Sequence, residues 1–185
     1  MKDTEMSDYL NNNLEYQKKL VKYLIQCILS EGSKIVIFAF IFYGLHLFKE
    51  YVTSLFLLIL LRTNGGGIHF QHYTSCFAVS FLMLLGSILS AIYIHLAYPI
   101  MTIGTLLCLV TGYLLVPITS TNRPPASSAA IKRSKLCTSL IIFVSFLLIC
   151  RFPETLYIKV IFWTILLHII QLLAAKILAK GGGGK

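Results

Sequence analysis

Acidic residues are scarce beyond position 50 of this 185-residue chain, where Glu154 is the only one. Only 12% of all residues are charged, whereas 57% are hydrophobic. A soluble globular domain is closer to a quarter charged and half apolar, so a chain of this composition cannot hide its apolar surface from water. The lipid bilayer is therefore the predicted solvent, and the length is enough for one domain.

Neither a disulfide framework nor a thiolate zinc ribbon is expected, because the five cysteines are scattered without a C-x-x-C pair. A cleavable signal peptide is not expected either, since the N-terminus carries Asp3, Glu5 and Asp8 and no compact apolar run before a small-residue cleavage site. The net charge is +9, yet no soluble basic domain exists to hold a nucleic acid. The basic residues instead predict contact with anionic lipid headgroups or with an acidic partner.

The N-terminal residues are predicted to form a cytoplasmic amphipathic helix. Across residues 9–30, apolar side chains share one helical face, while Lys18, Lys19 and Lys22 lie next to and opposite it. A basic amphipathic helix of this kind lies in the membrane interface. Packing on the membrane domain explains the same pattern equally well.

Six apolar runs follow, and they predict an all-α integral membrane protein. Two runs, 35–48 and 51–61, are separated by Lys49 and Glu50, and each is shorter than the roughly 20 residues that a span requires. They are predicted to be short or re-entrant helices. About four full transmembrane helices are expected, at 76–98, 100–119 (after a turn at Pro99), 136–150 and 155–178. The predicted parts of the chain are the helix at 1–30, the membrane domain at 31–180 and a flexible tail or cloning remnant at 181–185.

The distribution of basic residues predicts the orientation in the membrane. With both termini inside, only Lys49, Arg151 and Lys159 of the 16 Lys and Arg residues lie near the outer side. Since cytoplasmic loops carry an excess of Lys and Arg, the loops 62–75 and 120–135 are both predicted to face the cytoplasm.

The first of these loops concentrates side chains that are capable of chemistry. It reads Arg62-Thr-Asn-Gly-Gly-Gly-Ile-His69-Phe-Gln-His72-Tyr-Thr-Ser-Cys76. A cysteine and a histidine are the minimum for thiolate catalysis, in which the histidine takes the thiol proton and later returns it to the leaving amine. Cys76 is predicted to open the next helix, with Thr74 or Ser75 as N-cap, and a helix N-terminus favours a thiolate.

The chain must bend between His69 and Cys76. On one continuous helix these residues would be about 10 Å apart along the axis, too far for a hydrogen bond. The glycines at 65–67 permit such a bend, and their N–H groups are candidates for holding an oxyanion. His72, one helical turn before Cys76, is the alternative base. His69, His72 and Cys76 are also suitable zinc ligands, but a fourth ligand is not evident.

The remaining cysteines and histidines lie in or near the apolar runs. They are Cys27, Cys108, Cys137, Cys150, His46, His95 and His168. The cysteines lack a neighbouring base and are interpreted as packing residues. Histidines in spans are functional candidates by default, but these lack an acidic partner in sequence, which favours an interfacial position or a simple hydrogen bond.

The spacing Arg62-x4-Gly67-x-His69-x6-Cys76 resembles the signature of the accessory gene regulator B (AgrB) family, membrane peptidases of Gram-positive quorum sensing. The later segment with Pro117, Arg123 and a basic run is similar to the cytoplasmic loop of the family. The chain length and the apolar runs also match, so the resemblance covers nearly the whole chain. One departure is the Ala- and Ser-rich stretch 126–130, which replaces a more uniformly charged loop and bears on substrate preference.

The resemblance implies cleavage of a small amphipathic propeptide through a thioester on the enzyme, followed by ring closure to a thiolactone or lactone. Carried over to this chain, Cys76 is the nucleophile, His69 the general base, and Arg62 and Gly67 are supporting residues. An amide or hydroxyl has to orient the histidine, as in papain-like sites. The candidates are Asn64, Gln71 and Ser75, and Asn64 and Ser75 are also counted among the supporting or oxyanion residues.

The resemblance also implies a substrate with an acidic tail, for which a basic surface is required. The predicted substrate-binding residues are Arg123, Lys132, Arg133 and Lys135, although such a cluster also sets topology and binds lipid. No cofactor, metal or nucleic acid is expected, and homodimerisation is left open. The expected location is the cell membrane of a Gram-positive bacterium. A small transporter is the alternative function, but the spans have almost no acids for ion coupling and no internal repeat.

Overall fold

The computed structural model describes residues 31–66, 73–117 and 128–181, with side chains as far as Ile177. Six helices make up these ranges: α1 at 31–44, α2 at Phe48–Gly65, α3 at Tyr73–Tyr93, α4 at Tyr98–Leu115, α5 at Ser128–Arg151 and α6 at Leu156–Gly181. The described ranges contain no β-strand, so the all-α fold class is confirmed. The predicted amphipathic helix at 9–30 lies outside the described residues.

The chain divides into two compact units, with the boundary after Gly44. α1 belongs to the first unit. Within it, Lys34 Nζ donates to Glu31 Oε1 at 2.6 Å, an ion pair between residues one turn apart. The helices α2 to α6 form the second unit, which contains the candidate site.

Four helices of the second unit, α3 to α6, are long and apolar enough to cross a membrane. The predicted number of full spans is therefore confirmed, and the protein is a multi-pass membrane protein. The helix α2 is also 18 residues long, but it carries Lys49, Glu50 and Arg62. Glu50 lies in its first turn and Arg62 in its last, where each charge is favourable to the helix dipole.

Two predicted helix breaks lie a few residues from the observed ones. The first break is at 45–47, where His46 has φ 59°, so the prediction of a break at Lys49 and Glu50 was wrong. The chain also leaves α3 at 94–97. Pro99 belongs to the first turn of α4. Main-chain N–H groups in this turn have no acceptor within the helix, so a proline, which lacks the N–H, is tolerated there.

The helix α5 begins earlier than predicted, at Ser128. The basic residues Lys132, Arg133 and Lys135 therefore lie on a helix and not in a loop. The cause is local: the segment that begins Ser-Ala-Ala-Ile-Lys-Arg consists largely of good helix formers.

The helix α6 is the centre of the bundle. It contacts each of the helices α2 to α5, and 56% of its candidate span is buried, compared with 22 to 28% for the other three spans. The main core consists of Leu57, Leu61, Cys108, Val116, Ile142, Ile165, Ile169 and Leu172. Because α6 supplies three of these side chains, apolar packing around it holds the unit together.

A chain of buried hydroxyl groups joins α2 and α3 to α6. Ser54 Oγ lies 2.9 Å from Ser87 Oγ and 2.9 Å from Thr164 Oγ1. Thr164 Oγ1 also lies 2.8 Å from the carbonyl oxygen of Val160. Since lipid offers no alternative partners, such side-chain hydrogen bonds stabilise helix pairs in membranes.

Glycines on α4 permit close approach of the neighbouring helices. A Cβ at Gly104 would lie 3.0 Å from Phe162 Cε2, and one at Gly112 would lie 3.2 Å from the Cδ1 atoms of Ile142 and Ile169. Small residues are typical of such tight helix contacts in membranes. By contrast, a Cβ at Gly86 would meet Leu167 Cδ1 at an ordinary 3.6 Å.

Gly104→Ala is therefore expected to lower the free energy of unfolding by about 1–3 kcal/mol, because the added methyl overpacks the contact with Phe162. The matched variant Gly86→Ala is expected to be neutral or to gain up to about 1 kcal/mol from helix propensity. Melting temperatures of the two purified variants in one detergent measure the difference. Equal melting temperatures would contradict the close packing of α4 on α6.

Candidate functional site

Four helix termini meet at one end of the bundle, which we name the loop end: α2 and α4 end there, and α3 and α5 begin there. The side chain of Val116, directly after α4, lies 3.4 Å from the position of a Cβ at Gly65, near the end of α2. Lys135 Nζ of α5 lies 5.0 Å from the ring centroid of Tyr113 in the last turn of α4. The predicted site residues in the described ranges all lie at this end.

Arg62 connects α2 to the helix that carries the predicted nucleophile. Its Nη1 donates to Ser80 Oγ on α3 at 3.2 Å. Ser80 follows Cys76 by four residues, so the two share one face of α3 and are about 6 Å apart along the helix axis. The guanidinium group is thus held about one helical turn from Cys76. Sequence reasoning missed Ser80, although its spacing from Cys76 was the available signal.

Cys76 lies in the first turn of α3, as the sequence predicted, and it is half-buried. The helix begins at Tyr73, so Thr74 and Ser75 are helical residues, and the prediction that one of them is the N-cap was wrong. The first N–H groups of a helix have no intrahelical acceptor. Cys76, the fourth residue of α3, therefore lies close to the partial positive charge of the helix N-terminus.

Two of the three consecutive glycines have their N–H groups in use. Gly65 is part of α2, and the N–H of Gly66 donates to the carbonyl oxygen of Arg62 at 3.1 Å. Gly66 has φ 82°, a conformation that glycine adopts without strain and that ends the helix. These two N–H groups are thus not available to an oxyanion, contrary to the prediction.

Asn64 is held at the end of α2 by hydrogen bonds of both its side chain and its main chain. Its side-chain Nδ2 donates to the main-chain carbonyl oxygen of Leu60 at 2.8 Å. Its main-chain carbonyl oxygen accepts a hydrogen bond from Ser134 Oγ of α5. The second bond places the start of α5 directly beside the end of α2. That Asn64 orients His69 stays a prediction, because His69 lies outside the described residues.

The basic residues of α5 lie next to this contact. Lys132 and Arg133 are exposed, whereas Lys135 is half-buried and covers the ring of Tyr113. Ser134, between them in sequence, joins the basic cluster to α2. The structure therefore brings Lys132 and Arg133 to the same end of the bundle as Cys76.

Several predicted residues lie outside the described ranges. These are Gly67, His69, Gln71, His72 and Arg123, and also Cys27. Within the described ranges, no three His, Cys, Asp or Glu side chains form a group that could hold a metal ion.

The side chain of His168 is enclosed by the helices of the second unit, so snorkelling to the surface, one of the two predictions for this residue, was wrong. Its side chain is 0% exposed, and Nε2 lies 3.4 Å from the position of a Cβ at Gly65. The reason is the central position of α6, which turns this residue toward the other helices instead of the lipid.

The fold and the site define a class: a multi-pass helical membrane protein with a half-buried cysteine at a helix N-terminus and an arginine one turn away. The chain belongs to the accessory gene regulator B (AgrB) family, whose family model matches residues 4–172. This family processes autoinducer propeptides in quorum sensing. No curated protein and no solved structure matches the chain.

Proposed function

We propose that this protein is a membrane cysteine endopeptidase that removes the C-terminal tail of an autoinducer propeptide and promotes its cyclisation. The observation that carries the proposal is the hydrogen bond from Arg62 to Ser80, which holds a permanent positive charge one turn from Cys76. In the proposed scheme, this charge and the helix terminus stabilise the negative charge that develops on the substrate during the attack. Cys108, in contrast, is buried among apolar side chains of α4 and its neighbours.

In the first step, His69 takes the proton of Cys76, and the thiolate attacks the scissile carbonyl carbon. The C–N bond then breaks, and His69 returns the proton to the leaving amine. The products are the free C-terminal tail and a thioester between Cys76 and the rest of the propeptide. In this scheme Gly67 supports the tetrahedral intermediate with its N–H, and Arg62 adds a positive charge nearby.

In the second step, a cysteine or serine of the bound peptide attacks the thioester carbon. Its proton passes through His69 to the departing sulfur of Cys76, and a thiolactone or lactone ring forms. Exchange of one thioester for another changes little in bond energy, so the protein must above all keep water away from the intermediate. A site at the end of a membrane bundle serves this purpose.

The test is intact-mass analysis of the protein after co-expression with a candidate propeptide, a short amphipathic peptide with an acidic C-terminal tail. We expect an adduct equal in mass to the propeptide without its tail, removed by hydroxylamine, and no adduct on Cys76→Ala. A cleaved tail without any adduct on the wild-type protein, even after rapid acid quenching, would contradict the thioester.

The loop end is proposed to face the cytoplasm, because Arg62, Lys132, Arg133 and Lys135 lie there, compared with Lys49, Arg151 and Lys159 at the opposite end of the described bundle. We expect a single cysteine introduced as Ser128→Cys to resist a membrane-impermeant thiol reagent in intact cells and to react after lysis. Glu154→Cys, in the connection between α5 and α6 at the opposite end, is expected to react in intact cells. The reverse pattern would invert the topology.

The exposed pair Lys132 and Arg133 is proposed to bind the acidic tail of the propeptide. Exposed charge pairs are worth roughly 0–1 kcal/mol each, so changing both residues to Gln is expected to raise KM by up to about thirtyfold with little change in kcat. The effect should grow at low salt.

Two control variants separate docking from other roles of charge. Lys135→Gln is expected to change KM less, because Lys135 is already engaged with Tyr113. Arg151→Gln removes a charge at the opposite end of α5 and should leave KM unchanged. If the Lys132 and Arg133 double variant is inserted normally and keeps the wild-type KM at all salt concentrations, the pair is a topology signal only.

A further inference from the structure

Two neighbouring helices carry buried polar side chains that have no hydrogen-bond partner outside their own group among the described residues; within the group, His168 and Gln171 lie close enough on α6 to interact with each other. On α5 these are Thr138 Oγ1 and Ser139 Oγ; on α6 they are both ring nitrogens of His168 and both amide atoms of Gln171. Thr138 and His168 are 0% exposed and Gln171 is 7% exposed. We name these four residues the buried polar cluster.

Such a cluster is unusual, because buried polar groups in proteins are nearly always paired. The same bundle follows that rule elsewhere. The buried hydroxyls of Ser54, Ser87 and Thr164 bond to one another and to helix carbonyl groups. Polar groups that a membrane bundle leaves without partners are therefore expected to serve binding or catalysis, not stability.

The buried polar cluster lies at the loop end, beside the end of α2. His168 Nε2 and Thr138 Oγ1 lie 3.4 and 3.6 Å from one point, the position that a Cβ of Gly65 would occupy. Arg62 lies one turn before Gly65 on α2 and is near enough to act electrostatically on His168. Its side chain also contacts Ser80 on α3, one turn after Cys76. One turn of α2, from Arg62 to Gly65, thus connects the surroundings of Cys76 with the cluster.

The chemistry of the cluster selects its ligand. A hydroxyl, a carboxamide and a neutral imidazole each combine a donor with an acceptor. An anion would face the acceptor atoms, and a cation would face Arg62. A metal ion would find only one good ligand, His168. A peptide main chain, which offers one donor and one acceptor per residue, complements the set.

We infer that the buried polar cluster binds main-chain amide groups of the propeptide next to the scissile bond. This inference rests on the proposed function and adds a subsite to it. Substrate binding pairs polar groups that stay unpaired within the described part of the free protein. The bound segment closes the loop end, which keeps water from the thioester.

Two buried threonines provide a matched test. Thr138→Val removes an unpaired hydroxyl of the cluster, whereas Thr164→Val removes a paired hydroxyl outside it. We expect Thr138→Val to keep or raise the melting temperature, because it removes an unpaired buried polar group. Thr164→Val is expected to lower the melting temperature, because Ser54 loses a partner.

The effects of the two variants on substrate binding are expected to be the opposite of their effects on melting temperature. Thr138→Val should raise KM by about three- to tenfold, the usual worth of one hydrogen bond, and Thr164→Val should leave KM unchanged. In a Cys76→Ala background, which cannot react, Thr138→Val should weaken binding of the fluorescently labelled propeptide by the same factor. Gln171→Leu is expected to follow Thr138→Val in all three measurements.

Each opposite outcome has a definite meaning. If Thr138→Val and Gln171→Leu both lower the melting temperature as Thr164→Val does, the cluster is paired within the protein and the inference is wrong. If both variants fold normally and keep the wild-type affinity, the cluster does not contact substrate. These results differ from failure of the proposed function, in which the wild-type protein neither cleaves the propeptide nor forms the thioester.

Discussion

Replacing Cys76 with alanine is expected to lower the rate of propeptide cleavage by about ten-thousandfold or more, because no other group in the scheme can form the thioester. The released tail, quantified by mass spectrometry after co-expression, gives the rate. Cys76→Ser is expected to keep only a trace of activity, since a hydroxyl is far harder to deprotonate than a thiol.

The control is Cys137→Ala on α5, since Cys137 is half-buried like Cys76 but lies beyond the first turn of its helix. It should cleave at nearly the wild-type rate. Substantial cleavage by Cys76→Ala, or loss of cleavage only in Cys137→Ala, would remove Cys76 from the mechanism.

The second large effect concerns the base. His69→Ala is expected to lower the cleavage rate by at least about a hundredfold, the usual contribution of a positioned general base. His72→Ala should retain most of the activity, although His72 is the histidine nearer to Cys76 in sequence. Single-turnover rates of tail release compare the two variants without the influence of product release.

A control for folding is built into this pair, because both histidines lie in the same short segment. If His72→Ala is inactive and His69→Ala is active, the base is His72. If both are inactive while the variants bind propeptide normally, the two histidines act together.

The spans were predictable because hydropathy over about 20 residues is a strong signal. All four full spans, α3 to α6, were found from apolar runs alone. The helix ends were less certain: Lys49 and Glu50 suggested a break, but charges are also favourable in a first turn, and the observed break lies at 45–47. The start of α5 was missed because the prolines at 124 and 125 and the serines that follow favour a loop, whereas the alanines and basic residues directly after them favour a helix.

The faces of the helices could not be predicted in the same way. A helix that is apolar on all sides carries no period that separates lipid from protein. Sequence therefore gave no indication that α6 is central or that His168 points inward. Contacts between distant residues, such as Arg62 with Ser80 and Ser134 with Asn64, also depend on helix packing. The spacing of Arg62 and Cys76 pointed to the site only through its resemblance to a family pattern.

The central position of α6 has a consequence for biogenesis. A ribosome makes α2 to α5 before α6, and helices enter the bilayer in that order. Before α6 is inserted, Ser54 can bond to Ser87 but not to Thr164. Gly104 also lacks its packing contact with Phe162. The earlier helices must therefore wait in the membrane as an incomplete assembly, exposed to quality-control proteases. Substitutions in α6 that slow its insertion are expected to reduce the amount of protein in the cell more than its activity per molecule.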